Sequence, residues 1–196
     1  MKQQISFDSL LAEFESRLGV EDVLTPQTID HTKMIALMES YTSEESDWEK
    51  YAYHDSSRSY TRNGVENFGH NANLLLLVWE PGKGSLVHDH AAAHCVMKVL
   101  KGHLQEYLFS SETLKLESKR DLGPDSVAYI TDELGYHKMV NESSELAVSL
   151  HLYTPPYAKL NGCNIIDEVN GSKVKVNMSR LHSYKGVLMR EGCDTC

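Results

Sequence analysis

The chain has 196 residues, a formal charge of −9 and four cysteines, with a sequence pI near 5.5. That length suits one compact domain hiding about 70% of its unfolded surface, and the acidic balance argues against nucleic acid or an anionic membrane as partner. The start, MKQQISFDSL, lacks a leader-like apolar stretch, the longest apolar run (Leu74 to Trp79) is too short to span a bilayer, and cysteines at 95, 163, 193 and 196 are too sparse for a disulfide framework, so a cytoplasmic location is expected.

In chain order, Phe7, Leu10, Leu11, Phe14 and Leu18 recur at helical spacing after Ser6, a capping residue, and before Gly19, which can close the segment. Thr25-Pro26 reads as a cap followed by proline at the first position of a second helix, carrying Ile29, Met34, Ile35, Leu37 and Met38. A third helix is expected over 46–52. Short β-rich runs follow: 59–62 and 65–68 around an Asn63-Gly64 turn signal, then 74–80, 86–90, 95–100, 103–109, 114–117, 127–130, 137–140, 147–153 and 174–178. Many short strands at close spacing predict a closed or sandwiched antiparallel sheet. The expectation is a mainly β chain in one domain, with N-terminal helices over about 6–52, strands over about 58–180 and a tail over about 187–196.

Histidine is densest at His88-Asp89-His90, followed by His94-Cys95. Strand side chains alternate, so His88 and His90 project to one face and can both reach one ion. Two histidines on one strand face are also how a solvated pair looks. The pair does not stand alone, because Gly82, His88, His90, Cys95 and Gly102 occupy every fixed position but one of the first signature of the cupin superfamily. The exception is Cys95, where the general pattern has glutamate. His137, with Asn141 four residues later, is similar to the second cupin signature, although its proline is missing. Three neutral imidazoles on one side of a metal leave the opposite positions open, and they lack the negative charge of the better-known two-histidine, one-carboxylate triad, which favours an anionic ligand such as a thiolate. Zinc and copper also accept imidazole, so ligand type alone does not name the metal.

Four further segments sharpen the resemblance: Tyr60-Thr61-Arg62-Asn63, His94-Cys95, Gly135-Tyr136-His137, and Ser149-Leu150-His151-Leu152-Tyr153 before Pro155-Pro156. With them the chain closely resembles the cysteine dioxygenases, a thiol dioxygenase branch of the cupins, from about Tyr60 to the strand at 174–178. The resemblance implies a cupin-type β-barrel with one Fe(2+) per chain held by His88, His90 and His137. It makes Arg62 the clamp on the substrate carboxylate, beside Tyr60, and joins Cys95 to the ring of Tyr153 by a thioether. The implied reaction, the first step of cysteine catabolism, adds both atoms of O2 to the sulfur of free L-cysteine in a monomeric enzyme.

The residues bear on these roles independently. Ser149, His151 and Tyr153 sit two apart, so a strand puts hydroxyl, imidazole and phenol on one face, where they can form a hydrogen-bonded row; an outward face of an edge strand gives the same pattern. Arg62 can hold a carboxylate by two parallel bonds, although most arginines are surface charges. Trp79 and Met178 are candidates for the pocket wall or for core, and the family counterpart of Cys163 lies near the site entrance. Cys193 and Cys196 read as loose tail thiols, and His31, His54, His70, His103 and His182 as solvated or capping residues. Two other functions remain: a dioxygenase for another small thiol such as 3-mercaptopropionate, whose representatives generally lack the arginine and the cysteine present here as Arg62 and Cys95, and a non-catalytic metal-binding cupin.

Overall fold

The computed structural model describes residues 4–189, so Cys193 and Cys196 lie outside the described residues. Helix α1 runs Phe7–Leu18, with the Ser6 side chain accepting from the Ser9 amide, as the sequence predicts. Helix α2, His31–Ser40, begins later than expected. Asp30 provides the cap by accepting from the Lys33 amide at 3.2 Å, whereas Thr25 closes a turn in which the Thr28 amide donates to its carbonyl. The third helical segment is a four-residue α3, Glu45–Trp48, continued as a 3-10 turn over Glu49–Tyr51.

Among the described residues twelve strands follow: β1 Tyr60–Phe68, β2 Ala72–Trp79, β3 His94–Lys101, β4 Leu104–Phe109, β5 Leu116–Leu122, β6 Val127–Ile130, β7 Tyr136–Val140, β8 Ala147–Thr154, β9 Cys163–Ile166, β10 Lys173–Val176, β11 Ser183–Tyr184 and β12 Val187–Leu188, with a short helix α4, Tyr157–Asn161, after β8. Seven of them form one sheet in the order β12-β11-β1-β2-β8-β3-β6, and β5-β4-β7 and β10-β9 form two smaller sheets. Asn63-Gly64 does not turn the chain; it lies inside β1, where a bulge falls between Gly64 and Glu66. The Asn63 amide is satisfied by the Tyr53 carbonyl and by Ser183. A side chain at Gly64 would meet the Tyr184 ring at 2.5 Å, so glycine is there for the close approach of β11. Residues 86–90 form no regular strand either, and His88 makes only isolated bridges to His137 and Ile165.

The large sheet is covered on both faces, which explains the unbroken apolar run of β2. Leu74, Leu76 and Val78 pack with Phe7, Leu10, Phe14, Met34, Met38 and Trp48 of the helical layer. Leu75, Leu77 and Trp79 face the other way, into an interior shared with Leu104, Leu122 and Met139 of the small sheet. That interior, between the two sheets, is where the histidines gather. The chain is mainly β, with helices packed on one face of its large sheet. Among the described residues no helix is long and apolar enough to cross a membrane.

Candidate metal centre

The loop after β2 and strand β7 bring the three predicted ligands together. The His88 amide donates to the His137 carbonyl at 3.0 Å and the His137 amide returns the bond at 3.2 Å. Ring nitrogens of His88, His90 and His137 lie within 4.8 Å of one another. His90 is placed by a loop that passes through two left-handed residues, Ala91 and Ala92, with φ of 51° and 65°. Asp132 offsets this strain by accepting from the His90 and Ala92 amides, each at 2.6 Å. Gly135, φ 126°, allows the chain to run against the Phe109 carbonyl just before His137, a contact that any side chain would block.

Hydrogen bonding leaves each ring with a nitrogen to give. His88 Nδ1 meets the Leu86 carbonyl at 2.9 Å and His137 Nδ1 meets Glu106 Oε1 at 3.0 Å, so both present Nε2. Both nitrogens of His90 are buried without a partner, an arrangement that is costly unless an ion takes one of them. Burial, followed by the neighbouring His137, pushes His88 down to about 3, and the same causes hold His90 well below the ordinary range. The His88 and His90 rings therefore stay neutral, as ligation requires. Neutral donors, a common gap and an orphaned imidazole together fit a metal ion.

A cavity adjoins these rings and is also lined by Tyr60, Arg62, Trp79, His151, Tyr153, Cys163 and Met178. Arg62, only 9% exposed, donates from Nη2 to the Met178 carbonyl at 3.1 Å, while its Nε is buried with no partner. The Arg62 amide donates to His182 Nδ1 at 2.9 Å. His182, expected to be merely solvated or capping, thus holds the backbone of the arginine. Tyr60 lies against Trp79 with ring centroids 4.7 Å apart.

Strand β8 lies between β2 and β3, so the edge-strand alternative for the 149–153 row fails and the row points inward. The Trp79 indole donates to Ser149 Oγ at 2.8 Å, and Ser149 Oγ is 2.7 Å from His151 Nε2. Oγ accepts from the indole and keeps its own proton to give to Nε2, an arrangement that goes with an imidazole proton on Nδ1. Nδ1 is 3.5 Å from the Tyr153 hydroxyl and 3.9 Å from Cys95 Sγ. Burial lowers His151 to about 3, and burial raises both the Cys95 thiol and the Tyr153 phenol above their ordinary values. Cys95 and Tyr153 are direct cross-strand partners.

Comparison with known proteins decides the family. The sequence model of "Cysteine dioxygenase type I" matches residues 5–165. The chain belongs to the cysteine dioxygenase type I family. Relatives in this family include "Cysteine dioxygenase type 1" of Homo sapiens, 43% identical over 78% of this chain and 76% of the relative. Those of Bos taurus (41% identical, 82% and 81% covered) and Danio rerio (38%, 84% and 84%) span slightly more. Among solved structures, a Klebsiella pneumoniae protein with a double-stranded β-helix domain is 12% identical, with a TM-score of 0.48 over 66% of this chain and 93% of the other.

Of the site residues expected from the sequence, Tyr60, Arg62, His88, His90, His137, His151 and Tyr153 line this one cavity, and Ser149 and Cys95 stand behind it against His151. His31, His54 and His103 do not: His31 stacks on Tyr129, and His54 and His103 pair with Glu80 and Asp121. Sequence reasoning missed Glu106, Asp132 and His182. Glu106 resembles any strand glutamate, and only pairing at a sequence distance of 31 brings it to His137. Burial tends to raise its carboxyl, but His137 and Arg120 outweigh burial and hold it below the ordinary value.

Proposed function

We propose that this chain converts the thiol of free L-cysteine to cysteine sulfinic acid with O2, using one Fe(2+) held by His88, His90 and His137. The single observation carrying this reading is the cavity between the three-imidazole cluster and Arg62, whose buried Nε lacks a partner. Family membership adds the reaction class, since the relatives matched are named cysteine dioxygenases. When bound, ferrous iron supplies open coordination positions and the electron-transfer chemistry that dioxygen requires.

Arg62 receives the substrate carboxylate, meeting its free donor in a site where water is excluded and a charge-assisted bond is strongest. Tyr60, two residues away on the same strand face, lines the same cavity and can add its hydroxyl to the same carboxylate. Amine and thiol then face the imidazoles. Trp79, Ser149 and His151 orient Tyr153: the His151 Nδ1 proton is directed at the phenol oxygen, which leaves the phenolic proton free to hydrogen-bond to charge developing on the substrate sulfur and oxygen. Both oxygen atoms end on sulfur, and the substrate provides all four electrons, so no external reductant is needed.

Cys95 and Tyr153 become joined by a thioether in this reading. Their direct pairing across β3 and β8 supports the join, because such partners hold their side chains within about 4.5–5.5 Å at Cβ. The coupling removes one hydrogen from the thiol and one from the ring, with dioxygen as acceptor. It leaves an uncharged sulfur that does not compete with the substrate thiolate for iron, and it fixes the phenol. The reading further places helices, barrel and tail in one monomeric, cytoplasmic domain; the core shared by the helices and the sheet supports the single domain.

The test is oxygen consumption by iron-loaded protein over a panel of thiols, with the product identified. Cysteine sulfinate formation from cysteine in preference to 3-mercaptopropionate is expected. Preference for the latter, or no uptake with any thiol, contradicts the proposal. Iron content after changing each of His88, His90 and His137 to alanine should fall in all three variants. Undiminished iron in any one removes that residue from the centre.

A further inference from the structure

The three imidazoles differ in what stands behind them. His88 leans on a backbone carbonyl and His90 on nothing, whereas His137 donates to an ionised side chain, Glu106, which is 2% exposed. The second carboxylate oxygen of Glu106 accepts from Arg120, from Nε at 2.8 Å and from Nη2. Arg120 sits on β5 directly opposite Glu106 on β4, with half of its side chain in solvent. Surface guanidinium, buried carboxylate and ligand imidazole thus form one line from solvent to the metal gap.

We propose that Glu106, steadied by Arg120, is a positioning residue that completes the metal centre by fixing the His137 proton on Nδ1 and supplying negative charge one side chain behind the ligand. The inference rests on the metal-centre reading above. A metal ion needs a lone pair on Nε2, and which nitrogen offers it is set by what the other one donates to. A carboxylate acceptor strengthens the imidazole as a donor more than a carbonyl does, because it stabilises positive charge on the ring. Three neutral imidazoles bring no charge to offset a dication, and among the described residues near His137 Glu106 is the carboxylate in contact with a ligand ring. Burying an ionised carboxylate is costly unless it is paired. An ion pair that only joined β4 to β5 would have no need to bury one oxygen against His137. Arg120 draws charge away from that oxygen, so it limits how much reaches the metal.

The two residues therefore act on metal affinity with opposite signs. Ferrous iron binding is measured under argon at pH 8 by competition with a chelator, on the full chain. Glu106→Gln keeps the shape and an acceptor oxygen but loses the charge, and is expected to bind iron about 10- to 100-fold more weakly. Arg120→Gln, at a half-exposed position, removes the cation and leaves the Glu106 to His137 bond in place; it is expected to bind iron several-fold more tightly. A purely structural pair would weaken binding in both. The inference is overturned if Glu106→Gln stays near the affinity of the unaltered protein, or if Arg120→Gln weakens binding. Should Glu106→Gln not fold, the sign seen with Arg120→Gln decides. If the unaltered, folded protein takes up no iron at all, the metal-centre reading fails and this inference with it; uptake that ignores Glu106→Gln sinks this inference alone.

Discussion

At the scale of single residues, the carboxylate contact proposed for Arg62 would distinguish one small thiol from another. The buried, unmatched donor of Arg62 is free to receive a carboxylate, and on the proposed reading Arg62→Ala should lower kcat/KM for cysteine by about 3 kcal/mol, roughly a hundredfold. Cysteamine, with no carboxylate, should lose far less; equal losses for both thiols would make Arg62 structural. The pairing of Cys95 with Tyr153 leads to a covalent prediction. Digestion of iron-loaded, turned-over protein should release one linked peptide, lighter by two hydrogens than its parts, and Cys95→Ser should abolish it while keeping partial activity because the phenol remains. Separate peptides only would remove the cross-link. The His88-x-His90 spacing and Cys95 were legible in the sequence because they are local. Glu106 and His182 were not, since their roles depend on contacts 31 and 120 residues away.

Elements decide where these residues point. Alternation along 147–154 showed that Ser149, His151 and Tyr153 share a face, but the intervening Val148, Leu150 and Leu152 are apolar whichever side is core, so the direction of the row became clear only with β8 placed between β2 and β3. The same ambiguity made the Asn63-Gly64 pair look like a hairpin turn, when it serves the approach of β11. Because β8 is buried on both sides, its two faces separate by mutation. Leu150, wholly buried beneath the helices, should cost about 2–5 kcal/mol on change to alanine, with substrate KM unaltered in the fraction that folds; denaturant titration and steady-state kinetics check the two halves. One strand in from the far edge, β11 supports β1, and His182, just before β11, accepts from the Arg62 amide. Losing that bond, worth about 1 kcal/mol, should make His182→Ala raise the KM for cysteine roughly fivefold and leave kcat closer to its original value. An unchanged KM would show that β11 does not position the arginine.

For the whole molecule, burying so many neutral imidazoles makes stability depend on acid. His88 and His151 stay neutral in the fold down to about 3, far below the ordinary 6.5. As pH falls from 6.5 towards 3, the unfolded chain takes up protons at these rings and the folded chain does not, so stability drops by about 1.4 kcal/mol per pH unit for each ring. Glu106, held below its ordinary value, acts in the same direction at lower pH, contributing stability above the unfolded carboxyl range and losing it as the carboxyl is protonated. Metal-free protein should therefore show a denaturation midpoint that falls steadily from pH 7 to pH 5, and a flat profile would contradict the burial of these rings. The central claim is that the cavity adds dioxygen to a thiol, and isotope labelling tests it most directly. Iron-loaded protein is given cysteine and 18O2 in ordinary water, and the sulfinate is weighed by mass spectrometry. Both of the oxygen atoms on sulfur should carry the label; product with one labelled atom or none, or the absence of sulfinate, would contradict the account.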